Sequence, residues 1–130
     1  MIHILKTKIP VVPCPRPRVT KQGAFMPKRY TQCKDDLSQD FMTQYQEAPL
    51  DCPVDIQISF VTTKLRKGDL SNMVKTIEDV LEGLAYYDDI QISQIKAQHR
   101  IGHTDMTYIE FTQAHIKCGF VDKVSNKLLK

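Results

Sequence analysis

Residues 54–89 read VDIQISFVTTKLRKGDLSNMVKTIEDVLEGLAYYDD, and two periodicities meet inside them. Over residues 54–63, Val54, Ile56, Ile58 and Phe60 alternate with Asp55, Gln57 and Ser59, the period of two that gives a strand one buried face. Past KLRKG the period changes. Leu70, Met73, Val74, Ile77, Val80, Leu81 and Leu84 recur at steps of three and four, the apolar stripe of an amphipathic helix. Asp69 stands at the N-cap position, where its carboxylate accepts from free backbone N–H groups, and Gly83 lies where such a helix stops.

Working outward, IQISQIKAQHRI and, past Gly102, DMTYIEFTQ read as two further strands joined by a hairpin-like connection. On the N-terminal side, MIHILKTKI places Ile2, Ile4 and, after a break in phase, Ile9 on an opening strand. In VPCPRPRVTKQGAF the prolines at 13, 15 and 17 hold the backbone extended and exclude helix, which predicts a loop displaying Arg16 and Arg18. After Pro27, Tyr30, Cys33, Leu37, Phe41 and Tyr45 follow at steps of three or four, predicting a helix that ends before Pro49. The expected fold is α+β (α/β-like), a single small domain with a mixed sheet of about four strands and two main helices. Its expected extent is residues 1–113, with 114–130 as a helical or loose C-terminal tail.

Composition agrees with one domain, since 130 residues with 42% apolar content make a single modest core. The longest apolar stretches are strand-sized, and Lys6 and Lys8 interrupt any secretory hydrophobic region. The expectation is therefore a cytoplasmic protein that does not engage a membrane. Cys14, Cys33, Cys52 and Cys118 lack C-x-x-C spacing, so they read as reduced thiols rather than as a zinc clamp or disulfide framework. The four histidines lack metal-ligand spacing, and the isolated glycines form no phosphate loop, so no nucleotide cofactor is expected. Net charge is only +3, but its distribution is uneven. Arg16, Arg18, Lys21, Lys28, Arg29 and Lys34 form one basic cluster, Lys64, Arg66 and Lys67 a second, and the tail lysines a third, around an acidic centre. Such clusters are either a solvated surface or an electrostatic footprint for an anionic partner.

In a helix starting near Leu70, Asn72, Lys75 and Asp79 share one polar stripe with Asp69 at its tip. If the strand after AYYDD lies beside strand 54–63 in a suitable register, Asp88 or Asp89 meets Asp69. Carboxylates a few ångströms apart repel, and one stays protonated unless a cation compensates. Magnesium or manganese resolves that conflict by taking carboxylate oxygens while keeping waters and leaving room for a phosphate. Lys75 would then neutralise charge developing on the phosphate or protonate the leaving oxygen. Plainer readings stand beside this one: Asp69 as a cap alone, Lys75 with Asp79 as a surface pair, and Asp88–Asp89 as turn residues.

The string GDLSNMVKTIEDVLEGLAYYDDIQI resembles the signature of the RusA family of Holliday junction resolvases, which runs D-x-D-N-x-x-K, a helix, an aromatic or apolar pair, and D-D. PRPRVTKQGAFMP resembles the opening of its phage-type members, so the resemblance covers most of residues 10–112. It implies a RusA-like fold and a homodimer. The implied activity is that of a magnesium-dependent crossover junction endodeoxyribonuclease, with manganese as a substitute, which nicks paired strands of four-way DNA in recombination, repair or phage DNA processing. It further implies Asp69, Lys75 and Asp89 as catalytic residues, Asp69, Asp88 and Asp89 as metal ligands, and Asn72 in support. Arg16 and Arg18, followed by Lys21, Lys64, Arg66 and Lys67, are the expected DNA contacts. One position departs from the pattern. Ser71 replaces the second aspartate of D-x-D, and its hydroxyl can ligate magnesium or hold one of its waters but brings no charge. That departure keeps a non-cleaving branched-DNA-binding protein as the alternative.

Overall fold

In the computed structural model, residues 2–15, 18–20, 23–65 and 68–114 are described, those at 18–20 and 23–25 by their backbone. In chain order they form β1 (His3–Thr7), β2 (Arg18–Thr20), β3 (Gly23–Phe25), α1 (Lys28–Gln44), β4 (Val54–Thr62), α2 (Leu70–Leu81), one 3-10 turn (Asp89–Gln91), β5 (Ile92–Ile101) and β6 (Met106–Gln113). The main sheet has the order β1-β6-β4-β5, with β5 parallel to β4 and the other pairings antiparallel. It is the expected mixed four-stranded sheet with two helices.

Strand β4 has the cleanest alternation because it is central. Val54, Ile56, Ile58 and Phe60 are all buried beneath the helices, while Gln57 faces solvent on the uncovered side. Helix α1 buries Tyr30, Cys33, Leu37 and Phe41, and α2 buries Met73, Thr76, Ile77, Val80 and Leu81, all facing one core with the inward side of the sheet. Each large apolar side chain removed from water in this way contributes roughly 1.5–3 kcal/mol. Gly83, just past the end of α2, has φ +85°, the left-handed conformation that glycine adopts without a Cβ penalty.

Four expectations are corrected. Strands β5 and β6 are not hairpin neighbours, because β4 lies between them. The opening strand forms but spans only His3–Thr7, leaving Ile2 and Ile9 outside it; Ile2 and Ile4 are 61% and 60% exposed, and the core face is Leu5 and Thr7, with His3 stacked on Phe111 at 5.0 Å. Among the described residues no helix covers the sheet's outer face, and apolar residues in that phase are exposed. Within the predicted Pro/Arg loop, β2 and β3 pair as an antiparallel ribbon. Helix α2 ends at Leu81, which leaves Leu84 in the turn beyond it.

The segment Val11–Pro15 is laced to α2. The Cys14 N–H donates to the Asn72 carbonyl (2.9 Å), and the buried Thr76 hydroxyl donates to the Val12 carbonyl (2.7 Å). Thr76 interrupts the apolar stripe because this crossing backbone needs a donor there.

Candidate functional site

At the end of β4 the chain turns toward Asp69. The Thr62 hydroxyl donates to the Lys64 carbonyl (2.7 Å), so at its 2.6 Å contact with His99 Nε2 the ring nitrogen is the donor. The Thr63 N–H is held by Asp105 at 2.7 Å. Asp69 then caps α2, its Oδ1 accepting the Ser71 N–H at 2.9 Å, as the sequence predicts. Ser71, Asn72 and Lys64 are exposed around this tip. Because Cys14 is bonded to Asn72, the start of the Pro/Arg segment adjoins the same turn. Arg16, Lys21, Arg66 and Lys67 lie outside the described residues, as does the side chain of Arg18.

At the other end of α2 the chain folds back through Tyr86, whose buried hydroxyl donates to the Glu78 carbonyl at 2.8 Å. Asp88 caps the 3-10 turn, accepting the Ile90 N–H at 3.0 Å. The Gln91 side chain fastens the turn with all of its bonding capacity. Its Oε1 accepts the N–H groups of Tyr87 (2.8 Å) and Asp88 (3.0 Å), and its Nε2 donates to the carbonyls of Leu50 (2.7 Å) and Cys52 (3.0 Å). Glu82, Asp88 and Asp89 thereby present carboxylate oxygens within 4.8 Å of one another, all exposed.

The bond from the Ile90 N–H, and then that from Asp89, hold the Asp88 carboxyl below the usual range. Asp89 is pushed up, first by that same bond with Asp88 and further by the Asp88 and Glu82 charges. The pair is an oxygen-only, charge-crowded set of the kind a hard divalent cation satisfies. These residues fit magnesium or manganese.

Helix α2 separates the two ends. Its 12 residues rise 1.5 Å each, about 18 Å in all. The parallel pairing sets Ile92 beside Val54, so Asp88 and Asp89 precede the start of β4, whereas Asp69 follows its end. Within one chain, Asp69 and Ser71 are therefore not brought to Asp88 and Asp89, and Glu82 joins the doublet instead. Along the stripe between them, Lys75 Nζ bonds Asp79 Oδ1 at 3.2 Å. The lysine's pKa is raised first by that bond and further by the charges of Glu78 and Asp89. The second Asp79 oxygen accepts the Tyr30 hydroxyl at 3.2 Å.

Glu82, Gln91 and Tyr30 are the residues that sequence reasoning missed. Glu82 lies seven positions after Lys75 on the same helical face, and Asp88-x-x-Gln91 is a capping box legible in sequence. Tyr30 gave no local signal. Among aromatics that could stack on exposed bases, Tyr86 is buried, Tyr87 is exposed, and the Phe25 side chain lies outside the described residues.

Residues 8–112 match a family of endodeoxyribonucleases, a span that takes in both ends of α2 and the Pro/Arg segment. The family is endodeoxyribonuclease RusA, and the chain belongs to it. No curated protein matches the chain at the level compared. Among the described residues, no helix is long and apolar enough to cross a membrane.

Proposed function

We propose that this protein is a metal-dependent endonuclease that resolves four-way DNA junctions as a homodimer, in the cytoplasm, during recombination, repair or phage DNA processing. The observation that carries this reading is the convergence of Glu82, Asp88 and Asp89 at the end of a helix whose tip carries Asp69, in a chain of the endodeoxyribonuclease RusA family. Asp69 lies about a helix length from Asp88 and Asp89 of its own chain. Two copies packed end for end would set it beside Asp88 and Asp89 of the partner subunit, giving two composite sites per dimer. Asp69, Asp88 and Asp89, with the Ser71 hydroxyl, are the proposed holders of magnesium or manganese, and Asn72 supports the tip.

A bound ion would supply a water of lowered pKa and screen charge on the phosphodiester. The chain's own part is to position. Lys75 offers the ammonium hydrogens left over from Asp79 to the scissile phosphate, and Arg16, Arg18, Lys21, Lys64, Arg66 and Lys67 bind flanking phosphates. Affinity carried by such contacts falls steeply with salt.

The test is cleavage of a synthetic mobile four-way junction in magnesium or manganese. Asp69→Asn and Asp89→Asn each abolish nicking, while gel retardation in EDTA shows junction binding intact or tighter because repulsion toward phosphate falls. Full nicking by both variants would defeat the assignment. Ser71 favours a second reading, a branched-DNA-binding protein that does not cut. On that reading the unmodified protein retards junctions in preference to linear duplex yet leaves them whole in either metal.

A further inference from the structure

The Lys75–Asp79 pair has the spacing of an ordinary exposed helix pair, but its third member is not ordinary. Tyr30 comes from the other helix, is 1% exposed, and sends its hydroxyl to the oxygen of Asp79 that Lys75 leaves free. A carboxylate held through one oxygen swings about its terminal torsion, which is broad for aspartate. Held through both oxygens, from two different helices, it has one orientation. The phenol itself cannot shift far, because its ring is part of the core, with the Lys34 ammonium 5.1 Å from its centre and the Cys14 thiol beside its hydroxyl. Burial, followed by the Cys14 contact and the Asp79 charge, pushes the Tyr30 pKa well above the ordinary phenol value, so the hydroxyl remains a donor.

We propose that Tyr30 and Asp79 are positioning residues that aim the Lys75 ammonium at the scissile phosphate. This inference rests on the endonuclease reading above and adds to it residues that lie outside the D-x-D-N-x-x-K and D-D string. An ammonium has three hydrogens, and the 3.2 Å bond to Asp79 Oδ1 occupies one. Two remain for phosphate oxygens. Lysine carries a long side chain's rotamer freedom, which an unanchored side chain would have to lose at the moment of reaction. The anchored pair has already lost it.

Tyr30→Phe keeps the ring in the core and removes one oxygen. The expected result is a single-turnover cleavage rate lower on the order of tenfold, with junction affinity unchanged, a loss in the reacting complex rather than in binding. Asp79→Asn keeps an oxygen for the phenol but removes the charge facing Lys75, and it falls at least as far; Asp79→Glu recovers part of the loss. Combined with Lys75→Ala, Tyr30→Phe has no further effect. Tyr45→Phe, the same deletion at a phenol bonded to the Ala48 carbonyl, leaves the rate unchanged.

Wild-type cleavage by Tyr30→Phe, when Lys75→Ala has lost it, overturns the proposal and leaves the endonuclease reading standing. Wild-type cleavage by Lys75→Ala also overturns it, since nothing is then being aimed. A readout independent of cutting is NMR relaxation of the lysine ammonium groups. Lys75 is restricted in the unmodified protein and becomes as mobile as other surface lysines in Tyr30→Phe and Asp79→Asn. Equal mobility in all three sinks the proposal even if no junction is ever cut.

Discussion

Ser71 is the second residue of α2, exposed, with its backbone N–H taken by the Asp69 carboxylate. An aspartate there would restore the family's D-x-D and add negative charge in the first helical turn, where the macrodipole favours it by roughly 0.3–1 kcal/mol. Ser71→Asp is expected to raise junction cleavage and lower the magnesium concentration that supports it, read from rate against metal concentration. An unchanged or lower rate would mean that the hydroxyl is already suited to its place. The cap at Asp69 was legible because it is settled within three residues. Glu82 was not assigned, because what makes it matter is the return of Asp88 and Asp89 through Tyr86 and Gln91, and that return is set by contacts to residues some forty positions away.

At the scale of elements, the strand–helix–strand unit β4-α2-β5 was readable, since both periodicities are strong and local. The neighbours of β5 and β6 were not. A turn signal at Gly102 fits two adjacent strands as well as two strands that flank a third, and only long-range pairing with β4 decides between them. The covered side of β1 was not legible for a related reason, because which side of a strand is covered depends on where the helices lie. The 3-10 turn that carries the acidic doublet hangs on one side chain. Gln91→Ala would free two exposed N–H groups and two carbonyls in a part-buried place at once. The expected cost is about 2 kcal/mol in urea unfolding, with the slope unchanged. Unaltered stability would show that water satisfies those four groups as well as the amide does.

For the whole molecule, the parallel arrangement gives the two ends different electrostatic character. Lys64 and Arg100 lie toward the Asp69 end, together with Asp69 and Asp105, while Glu47 and Asp51 lie near Glu82 and the acidic doublet. Cations at one end and, among the described residues, only carboxylates at the other favour the end-for-end dimer of the proposed composite sites. The arrangement has a direct test by mixing. A heterodimer of Asp69→Asn and Asp89→Asn chains holds one site with both substitutions and one with neither, so it should regain nicking of a single junction strand, seen as one labelled product. If each site lay within one chain, no mixture would cut. The same topology also governs the order of assembly. Among the described residues β1 has β6 as its only sheet partner, and β6 must slot between it and β4. Until β6 is in place, β4 keeps a bare hydrogen-bonding edge, so a chain that has not yet docked it is open to mispairing.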